Sequence, residues 1–200
     1  MKKVLVCGFE KNQAVFLPHN LRYIFDECKF SYIDNVAEIS INQVYDRICL
    51  NCGIPFWELD FNLRSLQNHY NDFIVCLSLM NIPQENLDII LQYNVRYILI
   101  DLENEDEFTF CKKAYEENKP FRTKNTYDES RRIYCDEIEI YEKLPLNQKC
   151  AFHYMMSGKS QKEFQYDFGY NSKGTASTHW QNTLRKFNVE SVVKLRNKFR

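Results

Sequence analysis

Gln181, Arg185 and Thr178 are the side chains whose types and spacing point most directly to a chemistry. Projected on a helix at about 100° per residue, the three fall within roughly 60° of one another. Ala176, Trp180, Thr183 and Phe187 fall on the opposite side, with Leu184 beside them. One face of such a helix anchors on a protein body, and the other presents hydrogen-bonding groups to the major groove of a duplex. Gln pairs adenine bidentately, Arg pairs guanine, and Thr touches a thymine methyl. Thr175, Ser177 and Asn182 belong to the same helix, and Ser160, Lys162, Lys173 and Lys186 are candidates to hold phosphates. An ordinary amphipathic helix with a solvated polar face fits the same spacing.

Other chemistries find less support. Of the eight cysteines, only Cys49 and Cys52 form a close pair. A zinc site wants a second pair at suitable spacing, and none follows, so no metal is expected. Several cysteines sit inside apolar runs (VLVCGF, RICLNC, FIVCLSL), where the residue acts as a small hydrophobe. Thiol redox through Cys49 and Cys52, or between Cys7 and Cys52 at strand ends, is the alternative. No acid, base and nucleophile converge in the sequence, so neither an enzyme nor a cofactor is expected.

Charge is divided unevenly. From Tyr141 to Arg200, eleven Lys and Arg stand against four Asp and Glu, whereas the first 140 residues hold fifteen against twenty-three. A basic C-terminal third behind an acidic body suits a polyanionic partner. The 44% hydrophobic share excludes an intrinsically disordered chain, and five Gly with five Pro exclude collagen-like and linker-rich classes. No apolar run approaches the ~18 residues of a membrane span. Met1-Lys2-Lys3 leads into only a few apolar residues before Gly8 and Glu10, which is no signal peptide. A cytoplasmic protein without membrane contact is therefore expected.

The elements that must position these residues can be read from periodicity. Short apolar runs at Lys3–Phe9, Phe30–Ile33, Arg47–Cys52, Phe73–Leu79 and Arg96–Ile100 predict five strands. Helical spacing appears at His19–Cys28, Ala37–Tyr45, Phe56–Tyr70, Gln84–Tyr93 and Glu105–Glu117. Strands alternating with helices predict a doubly wound α/β domain with five parallel strands, covered on both faces. A charged stretch follows, with one extended piece expected at Ile138–Tyr141. The remainder predicts an all-α domain. Its first helix, Leu146–Ser157, is closed by Gly158, and a short second helix carries a Ser160/Glu163 capping box and ends near Gly169. After a polar turn at Tyr170–Gly174, a third helix spans Thr175–Phe187.

Five strands and five helices in residues 1–120 resemble the receiver domain of bacterial response regulators. The family ends its first strand with two acidic metal ligands, where this chain has Cys7 and Gly8. Its phosphoacceptor Asp closes the third strand four residues before a Pro, and here Asn51 precedes Pro55 at that distance. Ser78 matches the Ser or Thr ending the fourth strand, and Ile100 stands where a Lys ends the fifth. Phosphoryl transfer to a carboxylate needs an anionic nucleophile and a metal, and Asn51, Cys7 and Gly8 supply neither. A shifted strand register would instead bring up Glu10 or Asp46. The resemblance implies a receiver-like domain without phosphorylation, together with the family's contact surface of fourth helix, fifth strand and fifth helix.

Residues 121–143 read as a linker, and residues 144–200 resemble the LuxR-type (NarL/FixJ subfamily) helix-turn-helix. The matching residues are Leu144, Phe152, Met155, Gly158, Ser160, Lys162-Glu163, Gly169, Thr175, Thr178-His179, Asn182, Leu184-Arg185-Lys186 and Val189. The turn after Gly169 is one residue longer than usual, Ser177 replaces a common basic residue, and Trp180 follows His179. Together the two resemblances imply an atypical, orphan response regulator. It would bind double-stranded DNA sequence-specifically and independently of phosphorylation, as a homodimer or a heterodimer with another regulator. The alternative is an interaction protein that heterodimerises and reads little DNA itself.

Overall fold

The computed structural model describes residues 2–9, 21, 22, 24, 25, 28–33, 39, 44–70, 74–78, 82–100, 105–123, 135–170 and 172–199. The chain divides into two compact units, Met1–Arg132 and Ile133–Arg200.

The first unit is built on a parallel sheet of β1 (Lys2–Cys7), β2 (Cys28–Ile33), β3 (Arg47–Asn51), β4 (Ile74–Ser78), β5 (Tyr97–Ile100) and β6 (Phe121–Arg122). The strand order is β2-β1-β3-β4-β5-β6. Helices α1 (Phe56–Tyr70), α2 (Gln84–Gln92) and α3 (Glu105–Glu116) are the crossovers after β3, β4 and β5. The inner strands are almost uninterrupted apolar runs because both faces of a doubly wound sheet are buried. Val4, Val6, Cys49, Val75, Leu77, Tyr97 and Leu99 form one cluster with Leu21, Ile24 and Phe25 and with Phe108 and Cys111 of α3. The residues between them, among them Leu5, Ile48, Leu50, Ile74 and Ile98, point to the other face by the strand period of two and are just as buried. The hydroxyl of Tyr93, just past α2, donates to Asp60 of α1 at 2.6 Å, which ties these two helices together.

Several expectations are corrected here. The sheet has six strands rather than five. β6 lies inside the stretch read as linker and pairs Phe121 with Tyr97 and Arg122 with Ile98. The linker reading of 121–143 also fails at its other end, where Cys135–Glu142 is a helix, α4, so Ile138–Tyr141 is not extended. Its Tyr141 is buried against Phe152 with ring centroids 5.3 Å apart, a contact with the next helix that a charged stretch does not reveal. Cys28 begins β2 instead of ending the preceding helix, of which Leu21, Arg22 and Ile24 are helical. Of the helix expected at Ala37–Tyr45, Ile39, Val44 and Tyr45 are not helical, and the rest lies outside the described residues. So do Phe73, Leu79 and Glu10.

The second unit continues with α5 (Leu146–Met156), α6 (Gln161–Asp167), α7 (Lys173–Lys186) and α8 (Val192–Lys198). Phe152 sits at its centre, fully buried, with Phe187 and Phe199 at 4.9 and 5.3 Å. A second aromatic group gathers on Phe164, with Phe168 at 5.1 Å, Tyr154 at 5.6 Å and Trp180 at 6.0 Å. Among the described residues, no helix is long and apolar enough to cross a membrane.

Candidate nucleic-acid interface

Each helix of the second unit is started and stopped by recognisable local chemistry. α5 ends at Gly158, whose φ of +83° suits glycine, and the Lys159 N–H returns to the Tyr154 carbonyl at 3.0 Å. Arg196 Nε donates to the Met155 carbonyl at 2.7 Å and satisfies another group at that helix end. Serines begin the next three helices. Ser160 accepts from the Glu163 N–H at 3.2 Å and donates its own N–H to the Glu163 carboxylate at 2.7 Å, a capping box. Ser172 accepts from the Thr175 N–H at 3.3 Å, and Ser191 from the Lys194 N–H at 3.2 Å. The Ser172 cap moves the start of α7 to Lys173, so Lys173 and Gly174 belong to the helix and not to the turn, and Phe187 is its C-cap. Hydrogen bonds from the backbone N–H and hydroxyl of Ser160 hold the Glu163 carboxyl below the ordinary glutamate range.

α7 is the long helix of this unit. Ala176, Trp180, Thr183 and Leu184 are buried, and so is Phe187 at its end. Thr183 donates to the His179 carbonyl at 2.8 Å, which lets a hydroxyl sit in the core. Gln181, Arg185, Thr178, Thr175, Lys173 and Lys186 are exposed, while Ser177 and Asn182 are half-buried. Thr178, Arg185 and Asn182 are already engaged, and the Thr175 hydroxyl lies 3.4 Å from that of Ser172. The Thr178 hydroxyl donates back to the Gly174 carbonyl at 2.8 Å, and Arg185 donates to the Asn182 side-chain oxygen at 3.1 Å. Arg185 is thereby held on the helix surface instead of trailing free. Ser160 and Lys162 lie at the start of α6, both exposed, with the Ser160 hydroxyl donating to Glu163 at 2.7 Å. Asn188, Glu190 and Lys194 border the C-terminal end of the exposed α7 face. Their types point to no chemistry in the sequence beyond the Glu190/Lys194 spacing of four, which signals an ion pair on a helix.

Amide side chains cross-link the described strand ends of the first unit, where the receiver resemblance puts Cys7, Gly8, Asn51, Ser78 and Ile100. Asn51 Nδ2 donates to the Gly8 carbonyl at 2.8 Å, and its Oδ1 accepts from the Gly53 N–H at 2.9 Å. Gly8 has φ +77°, and a Cβ there would lie 3.5 Å from that of Asn51. A Cβ on Gly53 would lie 2.9 Å from the Ser78 hydroxyl, so this loop also packs tightly on β4. Asn86 at the start of α2 donates to the carbonyls of Cys52 and Ile54, both at 2.8 Å. Cys7, Ser78 and Ile100 are buried, Ser78 at 4% exposure. Cys49 and Cys52 are free thiols with no exposed surface, and Cys52 Sγ donates to the Leu77 carbonyl at 3.1 Å. Burial pushes both thiols well above the ordinary range, which disfavours the reactive thiolate. Among the described residues no cluster of three His, Cys, Asp or Glu could hold a metal ion.

No protein-family model matches the sequence, and no curated protein sequence matches it. Solved structures match in fold. The RcsB response regulator from Salmonella enterica serovar Typhimurium, bound to promoter rprA in the presence of the phosphomimetic BeF3-, is 12% identical. It covers 99% of this chain and 98% of its own, with a TM-score of 0.56. A structure of two RcsB dimers bound to two parallel DNAs is 13% identical over 99% of this chain and 97% of its own, with a TM-score of 0.52. The Salmonella typhimurium RcsB response regulator studied for conformational dynamism in DNA interaction is 14% identical, again over 99% and 97%, with a TM-score of 0.51. The likeness to these RcsB structures is one of fold.

Proposed function

We propose that this protein is a sequence-specific, DNA-binding transcriptional regulator that works as a dimer without phosphorylation of its receiver-like unit. The observation that carries the reading is α7. One side is locked into an aromatic core, and the other presents Gln181, Thr178 and Arg185 together in a basic unit. That is the arrangement of a recognition helix in a helix-turn-helix, with Lys162, Lys173 and Lys186 holding phosphates. The response regulators that share the fold include, by their own descriptions, one bound to a promoter and dimers bound to DNA. Asn51, a neutral amide bonded on both sides, replaces the carboxylate that would take a phosphoryl group. The protein acts by binding, in the cytoplasm, not by catalysis.

A second reading has its own observation. Leu91 on α2 and Phe110 on α3 are 44% and 59% exposed, on the helices flanking β5. An exposed apolar side chain on either helix suits contact with another regulator, in a heterodimer where α7 adds little. Selection of bound duplexes from a random library, with mass measurement of the oligomer, separates the two. A selected consensus with the protein alone supports the first reading. Binding only when a second regulator is added supports the other. Incubation with acetyl phosphate should leave the mass unchanged, and a gain of one phosphoryl group would refute phosphorylation independence.

A further inference from the structure

Beyond the face that α7 presents to base edges, a recess of about 320 Å³ opens between the C-terminal half of α7 and the start of α8. Leu184 contributes to its lining, and Gln181, Arg185, Asn188, Glu190 and Lys194 supply its polar groups. Of the charged residues lining it, two are cations and one is an acid. The acid is not idle: Lys194 Nζ lies 2.5 Å from the Glu190 carboxylate. Both side chains are well exposed, 60% and 84%, so neither is held there by burial. An exposed pair four residues apart is weak and exchanges readily for another partner.

We propose that this recess receives a backbone phosphate of the bound duplex, and that Glu190 is the built-in competitor for that phosphate. The inference rests on the DNA-binding reading and adds a contact and a brake to it. Gln181 and Arg185 are shared between the recess and the reading face. Whatever occupies the recess is therefore continuous with what the helix reads, and the groups beside base edges in a groove are phosphates. In the free protein Glu190 neutralises Lys194. As the duplex docks, the phosphate repels the carboxylate and takes over the ammonium, with Arg185 and the Asn188 amide alongside. Glu190 thereby lowers affinity for every sequence alike, because a phosphate carries no sequence information.

The test uses the full chain, a selected duplex and a random duplex, and anisotropy titrations from about 50 to about 200 mM salt. Each phosphate neutralised contributes about -0.9 to the slope of log affinity against log salt. Lys194→Met should reduce the slope by about that amount, so the affinity lost over this salt range shrinks roughly threefold. It should weaken both duplexes equally. Glu190→Gln should instead tighten both duplexes by the same factor at low salt. Both substitutions are at exposed positions outside the core, and circular dichroism checks that the helices remain. If the parent chain binds duplex and both variants match its affinity and slope, this inference fails while the DNA-binding reading stands. If the parent binds neither duplex at any salt, both fail. A loss in Lys194→Met confined to the selected duplex would also overturn the proposal, because it would make Lys194 a base reader.

Discussion

Asn51 and Gln181 carry the same functional group and meet opposite surroundings. The Asn51 amide is engaged at both ends, giving to the Gly8 carbonyl and receiving from the Gly53 N–H. Gln181 stands exposed on α7 among cations. In the first unit the position that chemistry would need has become a cross-link between strand ends. In the second, Gln181 and its polar neighbours on one face of α7 are turned outward. The difference teaches that a polar residue at an expected site is informative only once its partners are known. A bonded amide at a sheet end is architecture, and an exposed one on an anchored helix is available for recognition.

The largest effect should come from loosening the anchor. Phe152→Ala removes a fully buried ring that packs on Tyr141, Phe187 and Phe199. Such truncations cost about 3–5 kcal/mol. Guanidinium unfolding followed by Trp180 fluorescence, in a Trp57→Phe background, should show the unfolding free energy fall by that much, with loss of any duplex binding. A cost under about 1 kcal/mol would contradict the view that α7 is held from behind by this ring.

Asn51→Ala tests the other side of the comparison. It leaves the part-buried Gly8 carbonyl without its partner, while the exposed Gly53 N–H can turn to water, at a cost of about 1 kcal/mol. Asn51→Asp is the sharper variant, because it sets a carboxylate oxygen against the Gly8 carbonyl where Nδ2 now donates. The folded protein should then favour the protonated acid and raise its pKa above the unfolded value. Destabilisation is therefore complete above the folded pKa and relieved as pH falls through it towards the unfolded one. Denaturant midpoints across that range check the sign. A variant as stable as the parent at neutral pH would show that the amide is not a necessary cross-link.

On α7 the comparable change is Gln181→Ala. The side chain is exposed, so stability should hold while affinity for the selected duplex falls by about 1–3 kcal/mol with relaxed preference at one base pair. Lys186→Ala should weaken selected and random duplexes alike. Equal losses on both duplexes for Gln181→Ala would remove the base-reading role and bring α7 closer to the ordinary amphipathic helix that its spacing also allows.

These contrasts follow the line between what was readable in the residues and what was not. β1, β3, β4 and β5 were legible because burial on both faces makes each a continuous apolar run. β6 was not, since Phe121 and Arg122 hold the edge through backbone pairing with Tyr97 and Ile98, which leaves no side-chain pattern in two residues. α4 was not legible because its stretch is rich in charge and weak in apolar period, and the packing of Tyr141 on Phe152 that holds it depends on the following helix. The α6 capping box was legible from Ser160 and Glu163 alone, since its geometry is local. Asn51 was identified by its place before Pro55, but its bonding partner Gly8 is 43 residues away and is brought in only by the sheet.

The smallest expected effect concerns that capping box, and it decides what Ser160 does. Its hydroxyl accepts from the Glu163 N–H and donates to the Glu163 carboxylate. Ser160→Ala should therefore cost about 1 kcal/mol of stability as a lost cap. A role on DNA phosphate would show instead as lost affinity with unchanged stability. Glu163 gives an independent check through pH. Bonds from the Ser160 backbone and side chain lower its folded pKa, so its contribution is present above the unfolded pKa and lost as pH falls through the folded one. Acid titration of the thermal midpoint should show a small decline in that window, and Glu163→Gln should flatten it. If the decline persists unchanged in Glu163→Gln, another carboxylate carries it, and the Ser160 hydroxyl then has less reason to stay on its own helix when a duplex arrives.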